Sequence, residues 1–326
     1  MKEPYLIKQN FLYVPVIFLM TGLLIMSCGR QQQIDPLPKG AEAISLLGDT
    51  LSTPEIDPAN FDSLNNGLIR AVMDYRIDPE EMESIIWLGR RTAYIGEYRE
   101  ALRIFTEGVY KAPEDPRMYR HRGHRYITLR KFDLALEDFK SAEDLMRSLP
   151  DQVEPDGLPN EAGIPTSTLK SNVFYHQGLA HYLKGDFVSA AESYRKAEEL
   201  DLTDDMRIAF QYWHYMALKR DGHDMEAGSL LQNVNSEIEL LENDAYLNLL
   251  LVFKGVFEPD HLLEINSEAV ENATLAYGIG NWHYMNGRTE RAFEIWKNLY
   301  DPESNQWPAF GFIAAEAELA RMQSDL

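Results

Sequence analysis

Small and aromatic residues recur along this chain at the i, i+3, i+4, i+7 spacing of amphipathic helices. Gly89, Tyr98, Ala101 and Phe105 return 34 residues later as Gly123, Phe132, Ala135 and Phe139. A third set stands 55 residues further on, as Gly178, Phe187, Ala190 and Tyr194, with Ala142 answered by Ala197. A fourth follows after another 102 residues, three periods of 34, as Gly280, Gly287, Ala292 and Trp296. Each set predicts two helices joined by a turn. Gly89 and Ala101 let the paired helices approach closely, and Phe105 fills the space between neighbouring units.

The pattern places units at about 82–115, 116–149, 171–204 and 273–300, after a helix over about 61–75. Residues 205–272 fit it poorly. There, Tyr212, Tyr215 and Leu218 with Ala227 and Leu231 predict one helix pair. Tyr246 to Phe257 predicts part of another, with a short helix after Pro259. A last helix, over about 308–322, carries Phe310, Ile313, Ala314, Ala317 and Ala320 on one face. Glu316, Glu318 and Arg321 lie mostly on the other, which predicts a cap with a polar outer side. Ser148 to Lys170, with four Pro and two Gly, predicts a long loop of the kind that is often functional.

A 34-residue helix-turn-helix period with these residues resembles the tetratricopeptide repeat (TPR) family. The resemblance implies an all-α, TPR-type solenoid of about five helix pairs plus a C-terminal capping helix. It also implies a non-catalytic role in holding other proteins.

The chain's beginning reads differently. Lys2 and Lys8 precede an apolar run from Phe11 to Met26, which ends in Ser27-Cys28-Gly29. That is the order of a secretory signal. As a spanning helix the run is short of the ~20 residues a bilayer needs, and Pro15 and Gly22 interrupt it. Ile25-Met26-Ser27-Cys28 resembles a bacterial lipobox, which implies cleavage and lipidation at Cys28. Residues 1–28 are thus expected to be a lipoprotein signal peptide, 29–60 a tether and strap, and 61–326 the solenoid. The arrangement resembles periplasmic TPR lipoproteins of the NlpI type. That implies an adaptor in the bacterial cell envelope, and Gly29 points by the same resemblance to the outer membrane, facing the periplasm.

Charge narrows the partners. A formal net charge of −21 makes nucleic acid an unsuitable ligand, since phosphate binding depends on Lys and Arg. Catalytic signals are absent: there is no phosphate-cradling glycine loop, no Gly-x-Ser-x-Gly and a single cysteine. His121 and His124 are spaced to approach one metal, but no neighbour in sequence completes a ligand set. No enzyme, cofactor or metal is expected.

One stretch inverts the local charge. Pro116 to Lys131 holds Arg117, Arg120, Arg122, Arg125, Arg130 and Lys131 with no acidic residue. By TPR geometry the first helix of each repeat lines a concave groove. Arg90, Arg117, Arg120 and His124 then form its basic end, and Tyr175, Tyr182, Tyr277, Asn281 and Tyr284 its aromatic end. Such a groove suits a protein or peptide that is acidic or has a free C-terminus. The family's known carboxylate clamp uses lysine and asparagine, so that recognition does not transfer. Two alternatives stay open: the arginines pair with acids of adjacent helices, or the tyrosines stack on a small or glycan ligand carried in the periplasm.

Overall fold

A computed structural model describes residues 37–265 and 271–324. Cys28, the signal segment 1–28 and the start of the tether lie outside the described residues.

The repeat contact is realised four times. A side chain added at Gly89 would meet the ring of Phe105 at less than 3.0 Å, and Gly123 faces Phe139 in the same way. Gly178 lies equally close under Tyr194, and Gly280 under Trp296. Any Cβ there would push the second helix off the first. The first pair is α2 (Met82–Tyr94) and α3 (Tyr98–Lys111), preceded by α1 (Pro58–Ile77). Then come α4 (Pro116–Thr128) with α5 (Phe132–Met146), and α6 (Leu169–Lys184) with α7 (Phe187–Arg195). α8 (Asp204–Arg220) with α9 (Asp224–Leu230) continues the series.

Local chemistry sets the helix starts. Asp57 and Asp115 each accept a backbone N–H from the first turn, ahead of Pro58 and Pro116. Thr168 and Ser171 form a reciprocal capping box at α6.

The poorly patterned stretch folds as α10 (Asp244–Phe253) and α11 (Pro259–Ile265), followed by α12 (Glu271–Met285) and α13 (Thr289–Leu299). The chain ends in α14 (Phe310–Ser324). The fold is therefore all-α and TPR-type, with five helix pairs among the described residues. Among the described residues no helix is long and apolar enough to cross a membrane.

First helices α2, α4, α6 and α8 touch in sequence and line one face of the stack. α14 lies on that face, packed against α6, α12 and α13. The expected polar outer side of this helix needs correction. Glu316 and Glu318 are 0% and 2% exposed. Each is buried because an arginine from elsewhere in the chain meets it: Arg130 for Glu316 and Arg220 for Glu318. A buried carboxylate is tolerated only when so paired.

The described part of the strap carries regular structure. Ala41–Ile44 and Thr50–Ser52 form an antiparallel pair, β1 and β2, with Leu51 fully buried. Trp307 Nε1 donates to Ser52 O at 2.8 Å, and Leu46 N to Glu316 Oε1 at 2.6 Å. The N-terminal hairpin and the C-terminal helix thus close the inner face together.

Candidate functional site

The arginines of α4 separate into paired and unpaired groups. Arg117 folds back on Asp115 (2.6 Å) and reaches Glu83 (3.2 Å). Arg122 forks onto Asp138 with bonds of 2.7 and 2.8 Å. These two follow the pairing alternative. Arg120 meets Glu154, Nε to Oε2 at 2.9 Å, but at an angle that leaves both atoms without a hydrogen bond. Arg125 has no carboxylate partner among the described residues; its guanidinium lies 5.5 Å from the Tyr98 ring. Arg90, on α2, bonds only neutral oxygens: Tyr94 OH at 3.2 Å and Pro155 O at 2.7 Å.

The Pro-rich insertion lands on these arginines. Far from structureless, it folds back on itself through a bridge between Val153 and Thr168, with Glu154 N donating to Ser167 O at 3.0 Å. Asp151 secures its base by accepting from Thr168 Oγ1 and Lys170 N. Its tip is held from α2 by Arg90 on Pro155 O and by Arg91 on Gly157 O (3.0 Å). The two irregularities of the sequence, the basic helix and the insertion, therefore meet at one place.

Between them is a cavity of about 90 Å³, lined by Arg90, Tyr94, Arg120, Arg125 and Glu154 together with Phe105 and two histidines. Those histidines are neutral. Burial, reinforced by the nearby arginines, holds His121 and His124 well below the ordinary imidazole range. Arg120 Nη1 faces both Nδ1 atoms, at 3.2 Å from His121 and 3.5 Å from His124. His176 of α6 joins them, its ring centroid 4.4 Å from that of His124, and burial keeps it neutral too. Sequence separation hid both His176 and Glu154 from the metal question. A guanidinium aimed at two ring nitrogens opposes a cation, and no metal-holding group of three or more such residues occurs among the described residues.

The cavity continues into a cleft of about 280 Å³, which shares Arg90, Arg120, His124 and Glu154 and extends past Tyr175 to Tyr246 and Phe310. Glu242 stands at its far side and accepts from Thr166. Tyr175 bonds Tyr246 OH at 3.1 Å and accepts from Trp213 Nε1 at 2.8 Å, so its ring is fixed.

The expected aromatic end lies elsewhere. Tyr182, Tyr277 and Asn281 are fully buried, which removes them from any open groove. Tyr182 OH and Tyr277 OH are 2.7 Å apart, and Asn281 Nδ2 donates to Tyr182 OH at 2.9 Å. Tyr284, half-buried, has the Arg220 guanidinium 4.4 Å from its ring centroid. The Arg220–Glu318 pair seals this cluster beneath α14. The single long groove of the expectation is thus divided, because the chain's own last helix occupies part of it. Arg90, Arg120, His124 and Tyr175 share the cleft; Arg117 does not line it. Sequence reasoning missed Arg125, Glu154, His176 and Phe310. The only available signal was that Arg125 belongs to the acid-free run.

No protein-family model and no curated protein matches the sequence. Among solved structures, a tetratricopeptide repeat protein from Parabacteroides merdae is similar at 16% identity, over 74% of this chain and 87% of that one, with a TM-score of 0.46. YrrB, a TPR protein with an unusual peptide-binding site, is similar at 15% identity over 78% of this chain and 98% of its own, with a TM-score of 0.40. A kinesin light chain from Podosopora anserina with nearly identical TPR-like repeats is 14% identical over 76% and 97% of the two chains, also with a TM-score of 0.40. All three scores lie below 0.5, so the repeat assignment rests on this chain's own glycine–aromatic contacts.

Proposed function

We propose that the protein is a non-catalytic scaffold that holds a segment of a partner protein in the cleft between α2, α4, α6, α8 and the 148–170 insertion. One observation carries this reading. The inner face is filled by α14 and the hairpin along much of its length, yet stays open beside Arg90 and Arg120, with Arg125 in the cavity behind them bearing no carboxylate partner among the described residues. Glu154, Asp156 and Glu242 line the cleft with Arg90 and Arg120, so Arg125 is the cation left over, and it favours an acidic group on the partner segment. Burial of Tyr182, Tyr277 and Asn281 argues against a glycan-stacking surface built on them.

The same reading attaches the scaffold to the bacterial cell envelope through a lipid on Cys28, with the outer membrane and periplasm as its place. Its support is the lipobox-like Ile25-Met26-Ser27-Cys28. Incorporation of labelled fatty acid, lost in Cys28→Ala, tests that part separately.

Selection of random peptides on the purified protein tests the scaffold itself. The expected ligands are rich in Asp and Glu and lose binding to Arg90→Glu while binding normally to Lys140→Glu on the exposed side of α5. Peptides with no acidic preference, bound equally by both variants, would contradict it.

A further inference from the structure

We infer that the cavity enclosed by Arg90, Arg120, Arg125 and Glu154 is a site for one small oxyanion, a carboxylate or phosphate group carried by the ligand. This rests on the cleft being the ligand-binding face, but the site itself is the chamber behind it.

The charges do not balance without a ligand. Three guanidinium groups line the cavity with one carboxylate, Glu154, which already opposes Arg120; the next acid, Asp156, stands in the adjoining cleft on the Arg90 side, so Arg125 is the cation without a partner. Arg90 is bonded only to neutral oxygens, and Arg125 meets only an aromatic ring. Burial brings Arg125 down to about 10, with repulsion from Arg120 and Arg90 acting in the same direction. A desolvated cation without a counter-charge is destabilising, and groups so perturbed in a cleft mark functional sites more often than ordinary surfaces do.

The size fits as well. About 90 Å³ is room for several waters, enough for an oxyanion head group. Planar guanidinium forks bind carboxylate and phosphate oxygens in pairs. Arg120 Nε stays opposite Glu154 Oε2 at 2.9 Å, so Arg90 and Arg125 supply the donors to an anion. The neutral His121 and His124 add no competing charge, while Glu154 limits how much negative charge the chamber accepts.

The experiment titrates the full-length protein with inorganic phosphate or glutarate at constant ionic strength, against sodium chloride, and reads the thermal unfolding midpoint. The midpoint should rise with at least one anion. Arg125→Gln should raise the midpoint in chloride alone, because the unpaired charge is gone, and weaken the anion response at least about tenfold. Arg90→Gln serves as a second variant should the first fail to fold, and exposed Arg103→Gln should leave the response unchanged. A response to phosphate alone identifies a phosphorylated group, and one to glutarate alone an acidic side chain or C-terminus. No response to either anion, or a response unaltered in both Arg125→Gln and Arg90→Gln, would overturn the inference. Peptide binding that persists alongside such a failure would leave the scaffold reading intact.

Discussion

Arg130 and Glu316, 186 residues apart, form a fully buried pair with Arg130 Nη2 2.7 Å and Nε 3.2 Å from the carboxylate. Arg130 also donates to Thr128 O and Trp307 O, and its guanidinium lies 5.2 Å from the Trp307 ring centroid. It holds φ at 60°, at the repeat position filled by Gly96, Gly185 and Gly287 in the other units, all with φ near +80°. A non-glycine residue there is strained by ~1 kcal/mol or more. The strain is retained because only a side chain at this turn reaches the last helix.

Arg130→Gly should therefore destabilise the protein by about 3–5 kcal/mol, despite relieving the backbone, because Glu316 is left buried and unpaired. Arg130→Gly with Glu316→Gln should recover most of the loss, since the amide oxygen still accepts from Leu46 N. Urea unfolding of the native protein and the two variants measures this. A gain in stability from Arg130→Gly alone would show that the pair contributes nothing.

Two glycines should respond in opposite directions. A Cβ at Gly311 would strike the backbone carbonyl of Ala273, and backbone cannot give way. Gly311→Ala should loosen α14 from α12, at a cost of about 1–3 kcal/mol, and increase proteolysis after residue 300. Gly228, inside α9, has nothing within 4 Å of such a Cβ. Gly228→Ala should stabilise by about 0.5–1 kcal/mol in the same assay.

Stability should fall with acid in a defined window. His214 is 4% exposed, its Nε2 has no hydrogen-bond partner, and burial lowers its pKa from 6.5 to about 4. The folded state therefore holds the neutral ring, while the unfolded chain takes up a proton at 6.5. Its contribution is complete above pH 6.5 and disappears as the pH falls towards 4. At about 1.36 kcal/mol per pH unit the loss reaches up to about 3 kcal/mol. His121, His124 and His176 act in the same direction. Denaturant midpoints at pH 7 and 5, for the native protein and His214→Leu, should show a shallower decline in the variant.

The repeat was legible because its contacts are local and paired by size: Gly89 needs Phe105, and Gly178 needs Tyr194, at constant spacing. The closing of the inner face was not. In sequence Glu316 and Glu318 look like an exposed polar stripe, since a buried acid differs from a solvated one only by its partner. Those partners, Arg130 and Arg220, lie 186 and 98 residues away. One clue was present: Arg130 sits where the other units have glycine. For the candidate site, the acid-free run located α4 and the insertion was marked as irregular. Nothing in sequence joined Glu154 to Arg120, because loop geometry set that contact. Tyr182 and Tyr277 were misplaced in the groove because the occupant, α14, is part of the same chain.

On the scaffold reading, a partner segment enters the cleft beside the insertion. The most direct measurement of this is photo-crosslinking in living cells from a benzoyl-phenylalanine placed at Pro155 on the rim, or at exposed Tyr110 on α3 as a control. A discrete protein adduct is expected from position 155 that disappears when Arg90→Glu is added, and none from position 110. An adduct from position 110 alone, or one from 155 indifferent to Arg90→Glu, would contradict that reading.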